Sequence, residues 1–181
     1  MLPRGVRLEE WLQFLKGDQK YEFEIRFKSF RTNAFSQGIP YKDFNRLKEH
    51  FQSYPNQFTH QNDESQSDNY FDRERKVTIQ SAIRKTTFLD DSPDRWIIKT
   101  KHPEGDYRDN VYHLRYVLSL ENPLEGPPSN FQPETTRIKR RTSYTLNSCC
   151  RLDLTEVTMV ENSIMTELTN YEVELEVLYP P

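Results

Sequence analysis

The chain has 181 residues and a net charge of −3, so its length suits one large domain and no global basic field draws it to nucleic acid. Its mean hydropathy is −0.91 and 29% of its residues are charged, but 13% are aromatic. The apolar residues alternate with polar ones along short segments, which favours an ordered protein over a disordered one. No run of about 18 apolar residues occurs, so no transmembrane helix is expected. The adjacent cysteines Cys149 and Cys150 show no zinc-binding pattern, and a reducing compartment fits them best.

The first third of the chain predicts two helices and one strand. Apolar residues at helical spacing predict an N-terminal helix over about 7–16 and a second helix over 40–53. Between them, 20–30 alternates apolar and polar residues and predicts the first strand. The next segment, 52–69, is polar and rich in turn formers, so we expect a long loop or irregular connection there.

The rest of the chain predicts short strands joined by turns. Strands are expected at 71–85 (with a turn inside it), 95–101, 111–121, 135–145, 151–161 and, at the end, 171–177. Turn formers separate them at 90–94, 102–106, 122–133, Asn147-Ser148 and 162–167. No internal repeat or linker interrupts the pattern. Short strands joined by turns favour an antiparallel sandwich or barrel.

Two of these strands, at opposite ends of the chain, carry carboxylates on one face. The residues are Glu22, Glu24 and Arg26 in the first strand and Glu172, Glu174 and Glu176 in the last. Side chains in a strand alternate between two faces, so successive carboxylates on one face lie about 6–7 Å apart. Carboxylates at that spacing repel each other unless cations or water intervene. If the two strands lie side by side, they predict a site for a hard cation.

Other strands carry basic and polar residues on one face. The residues are Arg84, Lys99 and Lys101, Arg115 and Glu121, Arg137, Lys139 and Arg141, and Asp153 and Thr155. For any single strand, a solvated outer face is the ordinary interpretation. Acids and bases are sorted by strand here, whereas a surface built only for solubility mixes the two signs. Sorted charge favours a closed barrel with a polar interior, in which acids hold a divalent cation and bases hold a polyphosphate.

Four motifs in a fixed order resemble a known family. They are Glu-x-Glu-x-Arg-Phe at 22–27, Arg-x-Lys-x-Arg at 137–141, Asp-Leu-Thr-Glu-Val at 153–157 and Glu-Val-Glu-Leu-Glu-Val at 172–177. Together they resemble the metal-dependent RNA 5′-triphosphatases of fungal, protozoal and viral mRNA capping, which are triphosphate tunnel metalloenzymes. The resemblance implies a mainly β (α+β) fold: an eight-stranded antiparallel β-barrel tunnel with a few peripheral helices. A single domain then spans 1–181, with the barrel at about 20–179.

The resemblance also implies roles for the residues of the sorted strands. Glu22, Glu24 and Glu176 would bind Mg²⁺ or Mn²⁺, with Glu172 and Glu174 beside them. A basic group would bind the phosphates: Arg84, Lys99 or Lys101, Arg137, Lys139 and Arg141. Glu121 would help to position the attacking water. Arg26, Arg115, Asp153 and Thr155 would line the tunnel and contact substrate.

The activity that the resemblance implies is removal of the γ-phosphate from 5′-triphosphate RNA, the first step of cap formation. The implied partners are the 5′ end of nascent RNA and an RNA guanylyltransferase, in trans or fused, with no membrane involved. Such a protein would act inside the cell, in the nucleus or at a site of viral transcription. Two alternatives stay open at this point. One is a sibling enzyme acting on nucleoside triphosphate or polyphosphate, and the other is a non-catalytic tunnel-fold subunit of a transcription complex.

Overall fold

The structure is a computed structural model that describes residues 21–29, 38–55, 58–75, 80–90, 92–102, 105–108, 112–125, 133, 135–146, 149–161 and 164–178. The helix predicted over about 7–16 and the turn predicted at Asn147-Ser148 lie outside these residues. The described part contains one helix, α1 (Tyr41–Ser53), and nine strands. The strands are β1 (Tyr21–Ser29), β2 (Thr59–Arg75), β3 (Gln80–Phe88), β4 (Arg95–Lys101), β5 (Gly105–Arg108), β6 (Tyr112–Pro123), β7 (Thr135–Leu146), β8 (Cys150–Glu161) and β9 (Ile164–Val177).

Eight of the strands close into an antiparallel barrel. Their order is β1-β9-β8-β7-β2-β3-β4-β6, and pairing of β6 with β1 completes the ring. The short strand β5 lies outside the ring, because it pairs with the part of β6 that β4 does not reach. The predicted eight-stranded antiparallel barrel is therefore confirmed. Its closure removes the exposed edges that an open sheet of this size would present.

The outward face of the barrel carries the apolar core on one side. Alternate residues of β7, β8 and β9 point outward there and pack under α1. The buried members of this cluster are Ile39, Phe44, Tyr144, Leu152, Leu154 and Val173. Phe51 of α1 stacks on Tyr144 with ring centroids 5.2 Å apart. Helix α1 thus covers the apolar side of three strands.

Within the described residues, no helix has the length and apolarity needed to cross a membrane.

The loop predicted over 52–69 is wrong for most of its length. That segment holds the first half of β2, which pairs with β7 from Thr59 to Tyr70 and with β3 from Gln66 onward. The hydrophobic alternation of a normal strand is missing, because Glu64, Gln66 and Asp68 share one face and Ser65 and Ser67 share the other. Pairing on both edges therefore stabilises a strand whose own sequence gives no apolar period.

Smaller boundary differences occur at turns. The structure begins β9 at Ile164, inside the segment 162–167 where the sequence predicts a turn. It also places β5 across the end of the turn predicted at 102–106. Both strands are held by pairing to a longer neighbour, β8 in one case and β6 in the other. Neighbouring strands thus override the local turn signal.

Candidate active site

Strand register places every predicted site residue on the inward face of the sheet. Directly opposed pairs share a face, and they include Glu24 with Glu176, Lys99 with Glu121, and Thr155 with Glu172. The opposite face of β7, β8 and β9 packs against α1, so the polar residues face the barrel interior. The buried polar residues confirm a charged interior, and they include Glu24, Asp68, Lys99, Glu121, Lys139, Asp153, Thr155 and Glu172.

The acidic wall is formed by β1 and β9, which pair side by side and so meet the condition for the predicted cation site. Arg26 bridges the two strands, with Nη2 at 2.7 Å from Oε2 of Glu24 and Nε at 2.9 Å from Oε1 of Glu174. Glu176 is bound by Arg151 of β8. Each of these carboxylates is therefore held by a basic side chain from its own or a neighbouring strand.

Burial and crowding shift the pKa values of this wall in opposite directions. Burial raises the pKa of Glu176 to about 7, and the carboxylates of Glu22 and Glu24 add to the rise, while Arg151 opposes it. Burial also raises the pKa of Glu22, against the effect of Lys99. Burial alone would raise the pKa of Glu24 too, but Lys99 and Arg26 hold it well below its ordinary value. Burial therefore dominates at Glu176 and Glu22, whereas the basic neighbours of Glu24 outweigh it.

Lys99 connects the acidic wall to the neighbouring strands. Its Nζ lies 2.5 Å from Oε2 of Glu22, 3.6 Å from Oε1 of Glu24 and 3.0 Å from Oε1 of Glu121. Burial works against its charge, but these three carboxylates raise its pKa above the ordinary value. Lys101 shares the same face and helps to lower the pKa of Glu24. Both lysines therefore face the tunnel, and Lys99 makes the close contacts.

Glu121 of β6 accepts from three basic side chains. Its Oε1 lies 3.0 Å from both Arg84 Nη2 and Lys99 Nζ, and its Oε2 lies 2.9 Å from Arg95 Nη2. Burial would raise the pKa of Glu121, but Lys99 and Arg84 lower it. A carboxylate held in this way is a weak proton acceptor and a strong anchor for cations.

The basic wall is formed mainly by β7 and is paired with acids on both sides. Arg137 Nη2 contacts both carboxylate oxygens of Glu172, at 2.6 and 2.7 Å. Lys139 binds Asp68 of β2. Arg141 Nε lies 3.6 Å from Oδ2 of Asp153. The interior therefore holds a network of ion pairs in several groups, in which acids and bases of neighbouring strands hold each other in position.

Sequence reasoning misses several residues of this network. Asp68 is fully buried, binds Lys139 and accepts from Gln66 at 3.0 Å and from Thr86 at 2.7 Å. It is missed because it falls in the predicted loop. Arg151 contacts Asp153 at 3.0 Å and also binds Glu176. Period two in β8, which aligns it with Asp153 and Thr155, is the signal that could have identified it.

Arg115 differs from the other predicted residues. It lies on the inward face by register, opposite Arg26. Its ion pair, however, is with Asp106 of β5, at 3.0 Å from Nε to Oδ1, where His113 also contacts the same oxygen. The structure thus pairs Arg115 with the strand outside the ring.

The donor set of the acidic wall fits a hard divalent cation. Within the described residues, no three Asp, Glu, His or Cys side chains are gathered closely enough to bind a metal as they stand. The carboxylates of Glu22, Glu24 and Glu176 nevertheless share one face of paired strands, and hard cations prefer such oxygen ligands. Burial is the main cause of the raised pKa of Glu176, and Arg151 offsets it only in part. To bind a cation, these carboxylates would release Lys99, Arg26 and Arg151.

A closed antiparallel barrel that sets a carboxylate wall against a basic wall defines a tunnel-type fold suited to a polyanion together with a cation. The family model described as mRNA capping enzyme, beta chain, matches residues 41–180. The chain therefore belongs to the mRNA capping enzyme beta chain family, which confirms the resemblance that the motifs indicate.

Relatives in sequence and structure agree with this assignment. The chain is 29% identical over 178 residues to the mRNA-capping enzyme subunit beta of Debaryomyces hansenii, an alignment covering 88% of this chain and 33% of that protein. It thus spans about a third of that relative's length. The Pct1 RNA triphosphatase of S. pombe has a similar fold, with a TM-score of 0.71, 17% identity, and coverage of 96% of this chain and 80% of Pct1. The Mimivirus capping enzyme triphosphatase has a TM-score of 0.64, 20% identity, and coverage of 94% and 86%.

Proposed function

We propose that this domain hydrolyses the γ-phosphate of 5′-triphosphate RNA to leave a 5′-diphosphate end, the first step of cap formation. The observation that carries the proposal is the sorting of charge inside the closed barrel. Carboxylates of β1 and β9 form one wall, and cations of β3, β4 and β7 line other parts of the tunnel together with the acids Asp68, Glu121 and Asp153. Membership of the capping family supports RNA as the natural substrate.

The acidic wall would hold Mg²⁺ or Mn²⁺. Glu22, Glu24 and Glu176 are the proposed ligands, because they share a face of paired strands and supply the carboxylate oxygens that hard cations prefer. When bound, the cation would neutralise charge on the transferred phosphoryl group. Glu174 and Glu172 lie beside these ligands, but Arg26 and Arg137 hold them at short distances. Their role would be to orient those two arginines.

The basic wall would bind the triphosphate by exchanging carboxylate partners for phosphate oxygens. The proposed phosphate ligands are Arg84, Lys99, Lys101, Arg137, Lys139 and Arg141. Their ion pairs fix most of these cations before substrate arrives, so little reorganisation is needed when phosphate replaces a carboxylate. Arg26, Arg115, Asp153 and Thr155 would contact substrate or position these groups. Thr155 is buried on this face, one strand from Glu172.

Glu121 would position the attacking water and the cations around it, rather than act as a strong base. Its lowered pKa and its three basic partners make it a weak proton acceptor near neutral pH. Phosphoryl transfer proceeds through a loose transition state that needs positioning and charge stabilisation more than proton abstraction. This role fits the geometry of Glu121.

The partners would be those of a capping subunit. The relative from Debaryomyces hansenii is named as a subunit, and Pct1 was solved in complex with the Spt5 CTD. By analogy, this domain would act beside an RNA guanylyltransferase and the transcription machinery, in the nucleus or at a site of viral transcription.

The test is phosphate release from 5′-triphosphate RNA, with and without Mg²⁺ or Mn²⁺. Glu24→Ala and Glu176→Ala are each expected to lower the rate by about a hundredfold or more. Glu156→Ala is the matched control, because Glu156 lies on β8 one position along from the inward-facing Thr155 and so belongs to the opposite face. Unchanged rates in both wall variants would overturn the proposal. Parallel assays with ATP and with tripolyphosphate under Mg²⁺ would show whether either is preferred to RNA, as the alternative sibling activity requires.

A further inference from the structure

Tyr70 occupies an unusual position for a tyrosine of this barrel. It lies on β2 with the same parity as Gln66 and Asp68, and so on the inward face. It is directly opposite Arg84 of β3 on one side and Thr135 of β7 on the other. Tyr144, in contrast, packs in the outward cluster under α1, and Tyr116 packs against a second apolar cluster formed by Phe23 and Leu118.

The groups around Tyr70 are the cations proposed to bind phosphate. Arg84 is directly opposite it on β3, Arg137 and Lys139 lie further along the inward face of β7 and act on its charge, and Asp68 is the acid beside it on its own strand. Burial opposes the charge of Arg84 and Arg137, yet the pKa of each lies above its ordinary value, and Tyr70 contributes to both increases. By register, Tyr70 therefore lies directly opposite Arg84 and diagonal to Arg137, and these two residues have separate carboxylate partners, Glu121 and Glu172.

We propose that Tyr70 is a further substrate-binding residue, whose hydroxyl orders Arg84 and Arg137 and donates a hydrogen bond to a phosphate oxygen of the triphosphate. The inference rests on the proposed function of the same tunnel. A phenol suits this place because its oxygen can accept from a guanidinium and its hydroxyl can also donate to an anion. A second carboxylate there would compete with the phosphate, and a phenylalanine would leave the two guanidinium groups less ordered.

The protonation state of the phenol makes the proposal measurable. Burial would raise the pKa of Tyr70, but Lys139 and Arg137 outweigh burial and lower it to about 8. Near neutral pH the hydroxyl is protonated and donates to phosphate. Above about pH 8 the phenolate pairs with the guanidinium groups and repels phosphate, so affinity for a polyphosphate falls. Bound polyphosphate, by the same linkage, raises the pKa of the phenol.

The experiment measures binding of tripolyphosphate by calorimetry across this pH range, with Tyr70→Phe compared with the wild-type protein. The variant is expected to bind about tenfold more weakly near neutral pH, since it loses a hydrogen bond to a charged group. Wild-type affinity should decline towards that of the variant as pH passes about 8. Tripolyphosphate itself titrates, so the difference between the two proteins is the measured quantity. Tyr116→Phe, on the outward face, is the matched control and should bind as the wild type does.

A second measurement needs only the wild-type protein. Its tyrosinate absorbance should show a step near pH 8 that moves to higher pH when tripolyphosphate is added. Equal affinities of Tyr70→Phe and wild type at all pH values, or a step that tripolyphosphate does not move, would overturn the role of Tyr70. Tripolyphosphate binding with these properties, but without hydrolysis of RNA ends, would uphold Tyr70 as a phosphate ligand and reject the proposed RNA triphosphatase activity.

Discussion

The two faces of the barrel wall are packed in opposite ways. The outer face carries an apolar cluster, and the inner face carries ion pairs. Under α1, the outward residues of β7, β8 and β9 form an apolar cluster that includes Phe44, Leu154 and Val173. On the inward face of the same strands, ion pairs take the place of apolar contacts. Apolar burial stabilises the fold directly, whereas buried charge is neutral at best unless every partner is present. The outer cluster therefore stabilises the barrel. Loss of one member of an inner ion pair leaves its partner as an uncompensated buried charge.

The largest effect on stability is expected from Lys99→Met. The change leaves Glu22, Glu24 and Glu121 without their shared cation, and removing one partner of a buried ion pair costs about 3–5 kcal/mol. Urea unfolding measures the loss, with Lys42→Met on the exposed side of α1 as the control. A loss below about 1 kcal/mol, typical of a surface pair, would show that the inner network behaves like a solvated surface.

Leu154→Ala tests the outer cluster on the strand that also carries Asp153 and Thr155. Truncation of a fully buried leucine is expected to lower the free energy of unfolding by about 2–5 kcal/mol. Phosphate release per folded molecule should stay at the wild-type value, because the removed atoms lie on the outward face. A large fall in kcat while the protein remains folded would mean that the outer cluster and the inner network are mechanically coupled.

The raised pKa of Glu176 predicts that the free energy of unfolding falls as pH rises, and that a bound divalent cation removes this fall. Its pKa is about 7 in the folded protein against an ordinary value of 4.5, so the folded state binds more protons between these values. Its contribution to the free energy of unfolding therefore falls as pH rises from about 4.5 to about 7, by about 3 kcal/mol in total. Asp68 and Glu121, whose pKa values are lowered, act at lower pH and lose their contribution as pH falls below about 4.

Thermal unfolding across this range, with and without Mg²⁺, measures the effect of Glu176. Glu176→Gln should remove the decline, and in the wild type the stabilisation by Mg²⁺ should increase as pH rises, because the metal competes with protons for the carboxylate. A wild-type profile identical to that of Glu176→Gln would show that Arg151 compensates this carboxylate fully.

The smallest effect on stability is expected when both members of an inner pair are replaced. Asp68→Asn alone leaves Lys139 uncompensated and should destabilise the fold. Combined with Lys139→Met it should return the free energy of unfolding to within about 1 kcal/mol of wild type, since replacing a whole buried pair is often neutral. Phosphate release should remain low in the double variant. Recovery of activity there would remove Lys139 from the proposed phosphate ligands.

The residues that sequence reasoning finds are those on strands with a clear period of two. Glu22 and Glu176 stand out because apolar residues alternate with them, and closure of the barrel then brings their strands together. Asp68 is hidden because both faces of its strand are polar. The ion-pair partners, such as Arg151 for Glu176, depend on cross-strand register, which a single strand's sequence does not specify. The pairing of Arg115 with β5 is missed for a related reason, since that four-residue strand follows a turn-rich segment.

Closure of the ring by β1 has a consequence for how the protein is made. This strand pairs with β6 on one edge and with β9 on the other, so its neighbours are about 90 and 150 residues away along the chain. Contacts of such long sequence separation form slowly and late. During synthesis β1 leaves the ribosome before the other eight strands, and its pairing with β9 cannot form until β9 has also emerged. The glutamates that face each other across this seam can therefore meet only after β9 has been synthesised, and a nascent chain that lacks β9 has half an acidic wall.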